Sequence, residues 1–454
     1  MMRQALVVIH GMGEQKPMGT IRPFAEAILG SRGKKGEFWS KPDKMSELFE
    51  LRRLQAKGKS NIHFYEYYWA YNLEGTSVWD VLWWAVDLFK RNGKDVPPAS
   101  KSLWLLTRFL VGLVIVGIVF GFVDGVLGWL NAQPTFGAVW ITITLIGFAL
   151  QYFLISYLGD AARYLSPIPR NIKLRQKIRT EGINLLRSLH GSGDYDRIIL
   201  VGHSLGSIIA YDIITHLWDE YNAQLSGLEE KAEVQRLVRE AMANQKTPQP
   251  VVRNEISVCG EELIDDPDND QKREDFREKQ HEAWKELRFF GNPWLISDFV
   301  TMGSPLTHGL LLLASSTADF ESRKDQRELI TCPPQRDQKG YSYSSPKSYE
   351  VGEKKKYTPL ILHHAAAFAV TRWTNLYFPA KLGLFGDFVG GPLSKDFGEG
   401  IKDVPVSTIK WYGLANWTIA SHNCYWLVTD DVNNDDQMNQ LAVIALRDAI
   451  SLEN

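Results

Sequence analysis

Apolar residues in this chain fall into three kinds of run, and each kind predicts a different element. Short unbroken runs predict strands buried on both faces. Gln4–His10, Ile62–Ala70, Ile198–Val201, Leu295–Met302 and Arg372–Phe378 are of this kind. Runs with helical spacing predict amphipathic helices around Pro23–Leu29 and over Asn171–Leu189, where Ile172, Leu174, Ile178, Leu185, Leu186 and Leu189 recur on one face. Asp435–Leu452 predicts a terminal helix. Asn222–Glu286 is charged and mostly helical in pattern, and reads as a surface insertion. Ser322–Lys356 is rich in turn formers and reads as an exposed loop or part of a cap. Strands alternating with helices predict an α/β fold with a mostly parallel sheet.

The third kind of run is long. Phe109–Leu130 and Phe136–Leu158 are almost wholly apolar and are separated by the polar turn Asn131–Thr135. As helices each would be about 33 to 35 Å long, enough to cross a bilayer. Lys90, Arg91, Lys94, Lys101 and Arg108 precede them, and Arg163, Arg170, Lys173, Arg175, Lys177 and Arg179 follow, while the turn carries no basic residue. The positive-inside rule then places both ends in the cytoplasm. Trp104 is expected at the inner interface, and Trp129 and Trp140 near the outer one. Asp124 is the exception inside the first span, costly there unless paired, hydrated or protonated. Val78–Phe89, with Trp79, Trp83 and Trp84, reads equally as an interfacial helix or as ordinary core.

Composition narrows the class. The chain has 454 residues, 44% hydrophobic and 23% charged, so it is long enough for a large domain and is not disordered. A net charge of −2 gives no electrostatic case for nucleic acid as a partner. Three widely spaced cysteines, Cys259, Cys332 and Cys424, fit neither a disulfide framework nor a zinc site and point to a reducing compartment. The opening MMRQALVVIHGMG does not read as a signal peptide. Asp266–Asp270 has the look of a calcium loop, but Gln271 replaces the needed glycine and Arg277 the bidentate glutamate.

The chemistry centres on Gly202-His203-Ser204-Leu205-Gly206. This G-x-S-x-G sits between the buried run Ile198–Val201 and the apolar helical residues Ile208, Ile209, Ile213 and Ile214, the setting of a nucleophile elbow. A serine hydroxyl needs a base within hydrogen-bond reach, and the base needs an orienting carboxylate. With a nucleophile on such an elbow, the acid follows a later strand and the histidine comes last. His422 is the last of ten histidines and is the candidate base. Asp387, among the glycines of Leu384–Gly391 just past the strand at Arg372–Phe378, is the candidate acid, with Asp396 as alternative. His363 and His364 precede that position and read as structural, and His203 as packing beneath the elbow. The oxyanion hole is expected from the backbone N–H of Leu205 and of Met12, the latter in His10-Gly11-Met12-Gly13 after the first strand.

These motifs resemble those of the α/β-hydrolase superfamily, of the serine lipase/esterase type. GHSLGSIIAYD is also similar to the elbows of intracellular phospholipases, and Thr301–Leu306 is similar to the strand after the elbow in many lipases. The resemblance covers Gln4–Ala70, Asn171–Tyr221 and Trp294–Trp426, and departs from the family in that the chain starts almost at the oxyanion strand. It implies a hydrolase core in three parts, 1–100, 166–221 and 287–454; it does not cover the transmembrane hairpin at 101–165 or the charged helical insertion at 222–286, which the apolar and charged runs predict, nor the Ser322–Lys356 loop. The expected protein is an integral protein of the plasma or inner membrane with its catalytic domain in the cytoplasm. It would cleave a carboxylic ester, first a lipid ester, through an acyl-enzyme, with no metal or organic cofactor. Thioesterase, amidase and acyltransferase activity would use the same triad, and a non-catalytic membrane scaffold is the reading outside enzymology. Protein partners stay open.

Overall fold

The computed structural model describes residues 2–12, 16–30, 36–46, 48–59, 61–73, 101, 104–105, 108, 164–165, 169–222, 224, 251–338, 340–344, 349–351, 355–357, 360–380, 386–407, 418–427 and 440–452. An eight-stranded sheet organises them. Its strands are β1 (Gln4–Ile9), β2 (Phe38–Pro42), β3 (Arg52–Ala56), β4 (Ile62–Tyr67), β5 (Arg197–His203), β6 (Ile296–Met302), β7 (Arg372–Tyr377) and β8 (Lys402–Pro405). They lie in the order β8-β7-β6-β5-β1-β4-β3-β2. The six strands from β8 to β4 are parallel, and β3 and β2 add an antiparallel edge.

Burial on both faces explains the unbroken apolar strands. Along β1, Ala5, Val7 and Ile9 join one core cluster and Leu6 and Val8 the other. The first face is covered by α2 (Pro169–Gly191), α3 (Leu205–Tyr221), α4 (Val251–Asp265) and α5 (Asp270–Phe289). The second face is covered by α1 (Ile21–Leu29) and the C-terminal helix α6 (Gln440–Ile450). The result is a three-layer α/β/α arrangement.

Register keeps the C-terminal ends of the parallel strands level. Ile9 pairs with Tyr67 on one side and Gly202 on the other, Gly202 with Thr301, and Met302 with Leu376. The loops that leave β1, β5, β6 and β7 therefore emerge along one edge, and β5 and β1 stand at its centre. The chain turns one way from β1 to β4 and the other way from β5 to β6, the kind of switch point where open α/β sheets form sites.

Several expectations are revised. Asp270–Phe289 is not a surface appendage, because Phe276, Gln280, Ala283, Trp284 and Leu287 are buried against the sheet. Arg277 of that helix donates to Trp373 O at 2.7 Å and to Thr374 Oγ1 at 2.8 Å, so its charge serves as a clamp on β7. Ser322–Lys356 is not all exposed loop, since Leu329, Ile330, Cys332 and Tyr341 are buried. The strand expected over Ile62–Ala70 ends at Tyr67, and a 3-10 turn takes over at Ala70–Leu73. Trp104, expected at headgroup level, is buried, with the Arg108 guanidinium 4.5 Å from its ring centre.

Among the described residues no helix is long and apolar enough to cross a membrane. The apolar runs Phe109–Leu130 and Phe136–Leu158, with Asp124, Trp129 and Trp140, lie outside the described residues, as does Val78–Phe89.

Candidate active site

Ser204 follows β5 and stands at the N-cap of α3 with φ 52° and ψ −130°. A positive φ is costly for a residue with a Cβ and persists only where the surroundings enforce it. Here the Ser204 amide donates to Met302 O at 2.9 Å, and the Ser207 amide and hydroxyl donate back to Ser204 O at 2.9 and 2.6 Å. With its proton committed there, Ser207 Oγ accepts from Ser304 Oγ at 2.6 Å. The turn is thus locked from β6 as well as from its own helix.

The loops from the neighbouring strands close around it. Gly11 follows β1, and a Cβ there would lie 2.7 Å from Ser204 Cβ, so only glycine allows this approach. Met12 comes next and packs against the first core cluster. Leu205 opens α3, where the first amides lack intrahelical acceptors. Both expected oxyanion donors therefore flank the serine in the chain segments that meet there.

Asp387 follows β7 and is fully buried. His422 Nδ1 lies 2.7 Å from its Oδ2, the Tyr425 hydroxyl donates to the same oxygen at 2.9 Å, and the Val389 amide donates to Oδ1 at 2.9 Å. Burial pushes the carboxyl up, but the His422 imidazole and these donors outweigh it and hold Asp387 below its ordinary range. A carboxylate at that position makes Nδ1 the donor in a neutral imidazole, which leaves Nε2 as the acceptor. His203 Nε2 meets the His422 carbonyl at 2.8 Å and pins the loop from below. Burial, then the neighbouring His422 ring, pulls His203 down to about 3, and burial pulls His10 down to about 4, so both are neutral supports.

Gly303, after β6, has φ +55° and fills the gap beside this pair. A Cβ there would lie 2.8 Å from Asp387 Oδ2 and 3.0 Å from His422 Nδ1 and Cε1. Ser204 is 1% and His422 4% exposed, and Ser204 Oγ and His422 Nε2 each lack a hydrogen-bond partner. Leaving a buried polar group unpaired costs about 1–3 kcal/mol. Two such groups at one locus mark a place set up for something other than stability.

The structure therefore brings Ser204, His422, Asp387, Leu205 and Met12 to one edge of the sheet. Asp396 lies elsewhere, in the short helix Ser394–Phe397, with its backbone carbonyl held by Lys324. His363 bonds Gln335 O at 2.8 Å, away from the site. Tyr425, Gly303, Ser207 and Ser304 were not foreseen. Tyr425 lies three residues past His422, where the short turn after Ser421 folds it back toward Asp387. Among the described residues no group of three or more His, Cys, Asp or Glu side chains is placed to hold a metal ion. No protein-family model, curated protein or solved structure matches this chain.

Proposed function

We propose that this chain is a membrane-anchored serine hydrolase of the α/β-hydrolase type that cleaves a carboxylic ester, with a lipid ester as its substrate. The observation that carries the reading is the strained Ser204 turn set on the same strand edge as the buried His422–Asp387 pair. His422 Nε2 takes the Ser204 proton as Oγ adds to the acyl carbonyl. The Leu205 and Met12 amides stabilise the oxyanion, each such donor being worth about 100- to 1,000-fold in rate. His422 then protonates the leaving alcohol. It next takes a proton from water, which releases the acid and restores Ser204. The membrane part of the reading rests on the two long apolar runs and their basic flanks. An anchored site meets lipid at high local concentration, which favours a lipid ester over a soluble one.

The test is labelling of the membrane fraction with a fluorophosphonate, wild type beside Ser204→Ala. Labelling of wild type alone is expected. Equal labelling of both, or none of a folded wild type, removes the nucleophile from the reading. Product analysis with an added alcohol separates hydrolysis from acyl transfer.

A further inference from the structure

Behind the nucleophile lies a line of hydroxyl groups that the proposed chemistry does not use. Ser207 and Ser304 are both fully buried. The Leu306 amide donates to Ser304 Oγ at 3.2 Å. Ser304 Oγ and Ser207 Oγ are 2.6 Å apart, and the Ser207 hydroxyl donates to Ser204 O at 2.6 Å. A hydroxyl has a single proton. That of Ser207 is committed to Ser204 O, so the proton between the two hydroxyls comes from Ser304. The direction of the line is thereby fixed. It runs from Leu306 through Ser304 and Ser207 to the carbonyl of the nucleophile, from the turn after β6 to the turn after β5.

A serine in a helix often bonds a carbonyl one turn back. Two observations set this one apart. Ser204 O already accepts the Ser207 amide at 2.9 Å, the ordinary bond of that turn, so the hydroxyl is a second and shorter donor to the same oxygen. The hydroxyl is also fed from the loop of another strand. Hydrogen bonds in such a chain polarise one another, and they are electrostatically stronger in a low-dielectric interior than in water.

The carbonyl at the end of the line belongs to the same peptide unit as the Leu205 N–H. That unit is planar and trans, so its oxygen and hydrogen point opposite ways. Donors that hold Ser204 O toward Ser207 therefore also fix where the Leu205 N–H points. Electron density drawn to the oxygen leaves the hydrogen more positive through the same C–N resonance. Leu205 opens α3, so its amide has no acceptor inside the helix. The start of α3 is pressed onto the end of β1: a Cβ on Gly206 would lie 2.3 Å from Ile9 O and 2.4 Å from His10 O. That brings the Leu205 peptide beside the loop that carries Met12.

We propose that Ser207 and Ser304 are positioning residues that set the direction and strength of the Leu205 N–H as an oxyanion donor. They touch no substrate and act through one peptide bond. A donor fixed in advance costs no reorganisation when charge develops on the substrate. The inference rests on the serine hydrolase reading above and adds how that hydrolase tunes one of its two donors.

The experiment compares two reagents on the full chain: an alkyl fluorophosphonate, and the same compound with sulfur in place of the phosphoryl oxygen. With both, Ser204 Oγ bonds phosphorus, the P–F bond breaks, fluoride leaves and His422 takes the serine proton. Charge builds on oxygen in one case and on sulfur in the other, and sulfur is the weaker hydrogen-bond acceptor. The ratio of the two labelling rates therefore reads the oxyanion donors, while changes at the nucleophile or the base cancel. Ser207→Ala is expected to slow the oxygen reagent about tenfold and the sulfur reagent less than about twofold. Ser304→Ala, which leaves the elbow itself intact, should move the ratio the same way by about two- to threefold. Equal slowing with both reagents, or none, in a Ser207→Ala chain that circular dichroism reports as folded means that the hydroxyls only hold the turn. That result overturns the inference and leaves the hydrolase standing. If Ser207→Ala does not fold, Ser304→Ala decides by the same ratio. A folded wild type that takes up neither reagent at Ser204 overturns the hydrolase reading and the inference with it.

Discussion

Gly303 decides how closely the Asp387–His422 pair can sit against the end of β6. Its φ of +55° is one that glycine adopts freely, and the missing Cβ leaves room for Asp387 Oδ2. Gly303→Ala is expected to keep the fold and to lower kcat on a soluble ester by more than about 100-fold, because displacing an imidazole by even 1 Å is costly. Far-UV circular dichroism and steady-state kinetics check both halves. A kcat within a fewfold of wild type would show that the pair does not need this gap. Ser204, Asp387 and His422 were legible from the sequence because each stands in a local pattern tied to chain order. Tyr425 was not. A tyrosine beside a tryptophan looks like core, and only the turn after Ser421 reveals that its hydroxyl holds Asp387.

Elements meet at Glu66, on β4. Its carboxylate accepts the Met18 amide at 2.6 Å, with the Thr20 and Ile21 amides also turned toward it, so it caps α1 from the sheet and ends the loop that began at Gly11. Burial raises it from 4.5 to about 7. Between those values the folded chain keeps a proton that the unfolded chain has lost, so this group's contribution to stability falls as pH rises through that window. The size is about 3 kcal/mol. Glu66→Gln cannot ionise. The melting temperature of wild type relative to Glu66→Gln should therefore drop between pH 5 and pH 8, as read by a thermal shift series, and a constant difference would exclude a raised Glu66. Helix α5 shows what pattern reading overlooks. Its buried stripe, Phe276, Ala283, Trp284 and Leu287, has helical spacing, but the charged residues between them outweigh it in any average. The β2–β3 pair was missed for a related reason. Only Leu54 and Ala56 of its strands are buried, so little alternation marks it.

At the scale of the molecule, Arg197 gathers distant parts of the chain. Fully buried at the start of β5, it donates to Gln4 Oε1, Ser297 Oγ, Asp298 Oδ2 and the carbonyls of Ile450 and Ser451. Arg372 holds the other oxygen of Asp298. Burial pushes that carboxyl up, and the two arginines outweigh it and pull it well below its ordinary range. Removing one partner of a buried charge typically costs about 3–5 kcal/mol. Arg197→Met should lower the unfolding midpoint by an amount in that range and loosen α6, which hydrogen exchange would detect. An unchanged midpoint would show that Arg372 alone suffices.

The place of β1 in the sheet has a bearing on how the protein is made. It precedes the other seven strands of the sheet in the chain, yet it sits between β4 and β5, and β5 begins only at Arg197. Throughout that delay one side of β1 has no neighbour, while the long apolar runs emerge. A nascent chain stalled in this interval carries an open strand edge and is prone to aggregate. Ser204, Asp387 and His422 are then added in that order, each by a later stretch of translation. On the proposed reading, a chain that stops before His422 lacks its base and is expected to be inert.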